Sequence, residues 1–516
     1  MEKKGTAYGR YTALRTDRDQ YLDTAMQAAA LSIPYLIRWD DEADVKGRRQ
    51  LKTPWQSVGA KGVVTLASKL MLALVPAQTS FFKLQLDEAK MLEQNIDPQT
   101  RTEIDLSFAK IERTINELIA ASDDRVVIHQ ALKHLVVTGN ALIFMGKEGL
   151  KLFPLNRYVV DRDGDGNVIE IVTRERIHRD LVKDQLPEVK KKPNAVGDDG
   201  EKSHTTDDVD IFTHVKLEGD QVAWHQEVEG KKLPKSFSKS PKNINPWICL
   251  RFNTVDAEPY GRGRVEEYMG DLKSLEALSQ AIVEGSAAAA KVVFVVSPSS
   301  TTKPQTLAQA GNGAIVQGRP EDIGVVQVGK GADFQTALQQ MQTLEKRLSE
   351  AFLILNVRDS ERTTAEEVRM TQMELEQQLG GLFSLLTVEF LVPYLNRKLK
   401  TLQQSKEIPN VPKDLVKPTI VAGLNAIGRG QDRDSLNQFM QTVSQTLGPE
   451  AIQKFINSDE LIKRFAAAQG IDTLNLVKSM EEQQSDASMA QNNAIDMEMA
   501  KQASAFASLD AQQQQM

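Results

Sequence analysis

The chain has 516 residues, of which 41% are hydrophobic and 26% charged, a composition and length that allow more than one hydrophobic core. Its formal net charge of −7 argues against generic tight binding of nucleic acid, which needs a basic surface. One cysteine, Cys249, excludes an intrachain disulfide framework, and its apolar neighbours predict a buried, inert thiol. The polar start predicts no signal peptide, and the most apolar segment, Val63–Pro76, is shorter than a membrane helix. We therefore expect a soluble protein that is cytosolic when made.

Helical patterns dominate the chain up to about residue 120. An Ala-rich helix is predicted over Tyr21–Ile33, before Pro34. A second helix is predicted to open at Thr53–Pro54 and to end at Pro76. A third is predicted from apolar residues at helical spacing: Ile104, Phe108, Ile111, Ile115 and Leu118.

From about Leu142 to Phe252 the pattern changes to short strands separated by turn residues. The predicted strands are 141–145, 158–161, 168–173 and 211–217. Between them, Lys190–Asp208 is rich in Lys, Gly and Asp with few apolar residues, which predicts a mobile surface loop.

Two amphipathic helices that enclose a β-rich insertion follow. The first carries an apolar stripe at Val265, Tyr268, Leu272, Leu275, Leu278 and Ile282, and the second at Leu338, Met341, Leu344, Leu348, Phe352 and Leu355. At 1.5 Å per residue the first helix spans roughly 35–40 Å. Strands are predicted in the insertion at 292–296, 314–316 and 325–328.

A short charged loop, Asn356–Arg362, follows the second helix. Such a loop is usually only solvated, but its place between two long helices favours contact with whatever passes. Thr364 and Glu367 stand at capping-box spacing and open a third helix. That helix is predicted to bend or break at Gly380–Gly381 or at Pro393. A further helical region is predicted over Gln431–Lys478.

The motifs do not support catalysis or metal binding. Asp161, Asp163 and Asp165 resemble the start of a calcium loop, but position twelve is Val172, so a β-hairpin turn is favoured. The glycines of Gly261–Arg264 are explained better by capping and close packing than by nucleotide binding. The six histidines lack metal-ligand spacing, and no segment matches the phosphate-binding loop pattern. We predict no catalytic residue, no cofactor and no metal, and hence no enzyme.

Several short strings, in order from about residue 50 to 435, resemble the portal, or head-to-tail connector, protein of short-tailed bacteriophages of the podovirus, autographivirus type. The strings are Thr53–Gln56 with Val58–Ala60, Leu66–Leu74, Tyr260–Arg262 with Glu266–Tyr268, Gly270–Leu272, Gly318–Ile323, Thr364–Glu367, and Pro418–Ile420 through Gly423–Leu424 to Ala426–Asp432. Each string is weak alone, and their shared order is what makes the resemblance specific.

The resemblance implies a mixed α+β, mainly helical portal fold with wing, stem, clip and crown regions. Its parts would be residues 1–264 as the wing (β-rich from about 142), 265–291 and 331–355 as the two stem helices, 292–330 as the clip, 356–364 as the tunnel loop, 365–402 as a long kinked wing-to-crown helix, 403–480 as a helical crown and 481–516 as a flexible tail. These regions would form a ring, in that family a dodecamer, at one vertex of the capsid of the virion.

The resemblance also implies partners and sites. Double-stranded DNA would pass through the channel without sequence specificity, touching the tunnel-loop residues Arg358, Asp359, Glu361 and Arg362. The clip would dock the terminase large subunit and later the tail adaptor protein, through Lys303, Arg319, Glu321 and Asp322. Scaffolding, major capsid and internal core proteins are further expected partners, and no membrane is. The alternatives are a helical scaffold or adaptor without a channel, and an ATP-using translocase, which the missing phosphate loop disfavours.

Overall fold

The computed structural model describes residues 5–39, 51–76, 80–86, 98–146, 149–181, 208–289, 293–299, 303–309, 323–326, 331–354, 379–408, 416–420 and 429–448, with the single positions 315, 317, 319, 321, 456 and 461. The chain divides into two compact units, residues 1–424 and 425–516. The predicted loop at Lys190–Asp208, apart from Asp208 itself, and the predicted tail after residue 480 lie outside the described residues.

Helices and strands alternate along the first unit. The helices are α1 (Ala7–Ala30), α2 (Val58–Leu74), α3 (Pro98–Ala121), α4 (Asp124–Thr138), α5 (Arg264–Glu267), α6 (Met269–Ala289), α7 (Pro304–Gln309), α8 (Gly331–Ala351) and α9 (Leu379–Gln404). The strands are β1 (Phe82–Leu86), β2 (Asn140–Met145), β3 (Leu150–Phe153), β4 (Tyr158–Arg162), β5 (Val168–His178), β6 (Asp208–Glu218), β7 (Gln221–Val228), β8 (Lys231–Lys232), β9 (Ser238–Pro241), β10 (Trp247–Arg251), β11 (Val293–Val296), β12 (Ile323–Val326) and β13 (Val416–Ile420). In the second unit α10 spans Arg429–Leu447 and begins two residues before the predicted helical region of Gln431–Lys478.

Helix α1 begins well before the predicted start at Tyr21. The side chain of Thr6 caps it by accepting a hydrogen bond from the backbone N–H of Gly9. Its buried face includes Arg18, which is fully buried and donates to the backbone carbonyl of Leu155 at 3.2 Å. Because a charged residue occupies a core position, the apolar period of this half of the helix is hidden in the sequence.

The second helix also differs from its predicted start. The backbone N–H groups of Trp55 and Gln56 donate to the carboxylate of Glu276, which holds this segment as a loop. Helix α2 therefore begins only at Val58. Its end at Leu74, before Pro76, agrees with the prediction.

The prediction of an all-helical start is wrong at β1. This strand pairs antiparallel with β13, from Phe82↔Ile420 to Leu86↔Val416. The two strands are more than 300 residues apart in the sequence, and β13 contains Pro418. A pairing of that separation leaves no local periodic signal in the sequence, whereas the predicted third helix is confirmed by α3.

The predicted β-rich region forms two sheets. The larger has the strand order β4-β5-β6-β7-β8, with β9 also paired to β7, and all its described pairings are antiparallel. The smaller has the order β10-β2-β3 and lies in the main core. Cys249 is buried on β10, as predicted, and burial raises the pKa of its thiol.

Helix α9 is continuous through Pro393, so the predicted break there is wrong. A π-helical turn, Thr387–Leu391, precedes the proline, and the backbone N–H of Val392 donates to the carbonyl of Thr387. Proline has no N–H and its ring clashes with the carbonyl four residues earlier. The wider π turn accommodates both defects without ending the helix.

By length and composition alone, α9 is also able to cross a membrane. Its apolar side, however, packs into the main core of the first unit through Leu386, Phe390, Tyr394 and Leu395, all nearly fully buried. The helix is therefore a core helix of this fold.

Candidate functional site

Helices α6 and α8 pack against each other as an antiparallel pair, here called the helical hairpin. The residue numbers of contacting pairs rise along α6 as they fall along α8. These pairs are Asp271–Arg347, Ser279–Met341 and Gly285–Phe334. A Cβ at Gly285 would lie 2.6 Å from the ring of Phe334, so only glycine permits this approach. The helix predicted from the apolar stripe between Val265 and Ile282 is divided into α5 and α6, because the backbone of Tyr268 leaves helical geometry between them.

The end of the hairpin near Asp271 and Arg347, here called its base, is tied to α1 and α2. The carboxylate of Glu276 accepts the two N–H groups that precede α2, at 3.0 Å from Trp55 and 3.4 Å from Gln56. Lys273 donates to the side-chain carbonyl of Gln27 at 3.1 Å. These contacts fix the hairpin to the helices of the same unit.

The opposite end, here called the tip, is the β-rich insertion. Strand β11 pairs antiparallel with β12, from Val293↔Val326 to Val296↔Ile323. The predicted strand at 292–296 is confirmed, the one at 325–328 lies two residues earlier than predicted, and the one at 314–316 is outside the described residues except for position 315. The short helix α7 was not predicted.

Three of the four predicted clip residues are described, and all three are exposed: Lys303, Arg319 and Glu321. Asp322 lies outside the described residues. Apolar side chains are exposed on the tip as well, with Val295 50% exposed and Ile315 fully exposed. The tip therefore presents both charged and apolar groups to a partner.

The four predicted tunnel-loop residues, Arg358, Asp359, Glu361 and Arg362, lie outside the described residues, as does the predicted capping box at Thr364. The structure describes the chain on either side, up to Ile354 and again from Leu379. Neither the position nor the contacts of the loop are therefore part of the described geometry.

Two positively charged side chains, those of Lys69 and Arg264, donate hydrogen bonds to the backbone where α8 ends. The Nζ atom of Lys69 donates to the carbonyl of Leu353 at 2.6 Å, and the guanidinium of Arg264 donates to the carbonyl of Ala351 at 3.2 and 3.3 Å. Sequence reasoning assigned no role to either residue. The only signal for Lys69 was a charge that interrupts an apolar helical run.

Helix α9 is held by two buried polar contacts. Glu389, in the π turn, accepts hydrogen bonds from the backbone N–H of Arg251 at 3.0 Å and from its guanidinium at 2.6 and 2.9 Å. Further along, Asp124 accepts from the hydroxyl of Tyr394 and from Lys398, each at 2.7 Å. Burial, with the nearby Asp124 carboxylate, raises the pKa of Tyr394. Asp124 lies in the first turn of α4, where the helix dipole favours a negative charge.

A second polar cluster joins α1 to the larger sheet. Glu170 accepts a hydrogen bond from His214 at 2.5 Å and is paired with Arg10 of α1 at 2.5 Å. Burial raises the pKa of Glu170, but the hydrogen bonds from His214 and Arg10 outweigh it and lower the pKa to about 2. Beside them, Glu227 accepts the backbone N–H of Ala7 at 2.6 Å.

The remaining motifs have structural roles. Asp163 accepts the backbone N–H groups of Asp165 and Asn167, which forms the predicted turn between β4 and β5. Gly261 and Gly263 pack against the backbone near Gly139, where a Cβ would lie under 3 Å from backbone atoms. In the part of the chain that is described, no group of three or more His, Cys, Asp or Glu residues is placed to hold a metal.

Two predicted structural histidines lie on α4. His134 is buried, and burial lowers its pKa to about 4. His129 lies with its Nε2 atom 3.3 Å from the hydroxyl of Ser68 on α2. They contact different surroundings, as their spacing of five residues predicts.

The sequence was compared with known protein families and curated proteins. The profile of the family described as bacteriophage head to tail connecting protein matches residues 4–476. The portal protein of Escherichia phage T7 is 40% identical over 484 residues, covering 92% of this chain and 88% of the relative. The portal protein of Enterobacteria phage SP6 is 31% identical over 482 residues, covering 91% and 89%.

Among solved structures, the fold resembles the neck of an empty GTA particle, with a TM-score of 0.41 and 12% identity over 79% of this chain and 90% of the other. A chain of the virion of a native gene transfer agent particle has a TM-score of 0.35 and 11% identity, over 82% and 96%. These scores are too low to carry an argument about the fold. The family is shown instead by the profile match over residues 4–476 and by the 40% and 31% sequence identities. The chain belongs to the family of bacteriophage head to tail connecting proteins.

Proposed function

We propose that this chain is the subunit of a phage portal, a closed dodecameric ring around a channel at one capsid vertex. Double-stranded DNA would be packaged and later ejected through that channel. The observation that carries this proposal is the 40% identity with the portal protein of phage T7 over 92% of the chain. The proposal includes no catalytic activity, since the matched relatives are named portal proteins.

The regions expected from the sequence can be assigned to elements of the fold. The helical hairpin would be the stem, the insertion with β11 and β12 the clip, and the elements from α1 to β10 the wing. Helix α9 would lead from the wing to the crown. The assignment rests on the element order, because a hairpin fixed at its base with an exposed tip suits a part that projects from a shell.

A ring needs two different surfaces on each subunit, because identical chains meet head to tail. The hairpin carries exposed apolar residues that a monomer would not need, with Val283 51% and Leu338 42% exposed. Their burial between neighbouring hairpins would stabilise the ring by the hydrophobic effect. In the described part of the tip, β11 and β12 pair with each other, and strands of a neighbouring subunit could pair at their outer edges.

The charge of the chain suits a channel through which DNA slides. Duplex DNA carries about one charge per 1.7 Å, so a strongly basic channel would retain it. An acidic protein, here with a net charge of −7, would repel the duplex weakly, and isolated arginines would guide it. We propose that Arg358 and Arg362 touch backbone phosphates without reading bases, since phosphate contacts position but do not specify.

The partners follow from the assigned parts. The tip would dock the terminase large subunit during packaging and the tail adaptor protein afterwards, using Lys303, Arg319, Glu321 and Asp322. The outer surface of the ring would meet the scaffolding, major capsid and internal core proteins. The subunit would be made in the host cytoplasm and act in the virion, without a membrane partner.

Electron microscopy of the purified protein tests the proposal most directly. We expect closed rings with a central hole in class averages viewed down the particle axis. The same preparation should show no ATPase activity above background. Monomers, dimers or open chains under assembly conditions would overturn the channel and leave a scaffold or adaptor as the function.

The role of the loop is tested by replacing Arg358 and Arg362 together with alanine. Rings should form normally, but the DNA packaged or retained per capsid should fall, because the phosphate contacts are lost. The matched control is Arg113→Ala, which removes an exposed arginine of α3 that pairs with Glu117, one turn further along its own helix. Normal DNA content in the double variant would contradict a role of these arginines in the channel.

A further inference from the structure

Helix α8 ends in a complete Schellman motif immediately before the predicted tunnel loop. The N–H of Ile354 donates to the carbonyl of Ser349 at 2.7 Å, and the N–H of Leu353 donates to the carbonyl of Glu350 at 3.0 Å. These are the two hydrogen bonds that define the motif. The end of the helix is therefore closed in part by hydrogen bonds of its own backbone.

The residue at the turning point of this motif is an unusual one. Leu353 has a φ of +56°, in the left-handed region that glycine normally occupies at this position. A non-glycine residue there is strained and persists only when its surroundings hold it in place. Leu353 and Ile354 are both buried, so packing on the main core supplies part of that support.

Lys69 and Arg264 supply the rest. Among the described residues, no backbone N–H donates to the carbonyls of Ala351 and Leu353 at this helix end, and the side chains of Arg264 and Lys69 donate to these two carbonyls. Positive charge near a helix C-terminus is also favoured by the helix dipole. The two donors belong to different elements, α2 and α5, and hold the chain in its last described turn.

The side chains of Arg264 and Lys69 reach the end of α8 from different surroundings. Arg264 also pairs with Glu267 at 2.8 Å and lies over the ring of Tyr268, so it belongs to the packing of α5 as well. Lys69 extends from the apolar helix α2, where a charged residue is costly unless it is paired. Its hydrogen bond to Leu353 offsets part of that cost.

From this geometry we propose that Lys69 and Arg264 are positioning residues that fix the direction in which the chain leaves α8 into the loop of residues 356–364. Their importance for DNA rests on the proposed function of that loop, whereas their action on the chain at Leu353 does not. Removing either donor takes away part of the support of the strained turn at Leu353, so the turn and its Schellman hydrogen bonds should open more often.

The test is hydrogen exchange measured on the assembled ring with Lys69→Met, a variant that keeps the length and apolar stem of the side chain. Exchange at the amides of Phe352, Leu353 and Ile354 should be about tenfold faster, as expected when a charge-assisted hydrogen bond is lost. Peptides from α6 should exchange at the wild-type rate. Lys69→Arg, which keeps a donor, should restore most of the protection.

The matched control is Lys61→Met, which removes an exposed lysine from the same helix α2. It should leave exchange at the end of α8 unchanged. Unchanged exchange in Lys69→Met, or an equal increase throughout the hairpin, would overturn the inference. Arg264→Gln is the second variant, and failure of both variants to assemble would also overturn it, because it would assign these residues to the whole fold.

DNA packaging then separates this inference from the proposed function. If Lys69→Met loosens the turn and the alanine variant of Arg358 and Arg362 lowers DNA content, both stand. If the turn loosens but the arginine variant packages normally, the positioning role stands and the proposed DNA contact of the loop fails. If the arginine variant fails to package while the turn stays protected, only the positioning role fails.

Discussion

The base and the tip of the helical hairpin belong to the same pair of helices but differ in nearly every physical respect. At the base, Leu272, Leu275, Leu348 and Phe352 are fully buried, and hydrogen bonds tie the hairpin to α1 and α2. At the tip, the described clip residues are exposed, and the described part of the sheet has two strands. The stability of the hairpin therefore resides at its base, and the chemistry of the tip is free to vary with its partner.

The largest effect should come from Phe352→Ala. The ring packs against Gly62 and lies 6.0 Å from the ring of Tyr268, so its loss opens a cavity in the core. We expect the free energy of unfolding to fall by about 3–5 kcal/mol, measured as a lower urea midpoint by circular dichroism. Val295→Ala at the half-exposed tip is the control and should cost less than about 1 kcal/mol. Similar losses in both variants would remove the distinction between base and tip.

A smaller effect is expected from Glu276→Gln. This carboxylate accepts the N–H groups of Trp55 and Gln56, and a neutral amide would accept them more weakly. The cost should be about 1–2 kcal/mol in the same urea assay. Its control is Glu284→Gln, an exposed position nearer the tip that contacts Gln280 of its own helix, and it should change stability by less than about 0.5 kcal/mol. An effect at Glu284 as large as that at Glu276 would contradict the picture.

The smallest effect on the hairpin should come from acid, which acts on the contact between α1 and the larger sheet. The pKa of Glu170 is lowered to about 2 in the folded protein, below its ordinary value. Its stabilising contribution is therefore fully present above about pH 4.5 and is lost as the pH falls through about 2.

The measurement is thermal unfolding of the wild-type chain and of Glu170→Gln from pH 6 to pH 2. The two melting temperatures should differ most near pH 6 and converge near pH 2. Glu175→Gln, which changes a partly buried carboxylate of the same strand that pairs with Lys151, is the control. A difference between wild type and Glu170→Gln that stays constant across the range would show that protonation of Glu170 is not the cause.

Sequence reasoning predicted elements best where a local period reports burial. The apolar stripes of α6 and α8 and the strands of the larger sheet were found because one face of each is buried and the other is solvated. It did poorly where a polar residue occupies a buried position. Arg18 hid the first half of α1, and Lys69 gave no sign of its hydrogen bond to Leu353.

The sequence by itself determined the family, the strands predicted at 158–161, 168–173 and 211–217, the apolar stripes of α6 and α8, the turn at Asp163 and the absence of a phosphate-binding motif. These depend on residue identity and short spacing, which a sequence displays directly. Only the tertiary structure decided the pairing of β1 with β13, the π turn before Pro393, and the two cations at the end of α8. Each of these depends on groups that are far apart in the chain or on a backbone adjustment, and a local pattern carries no record of either.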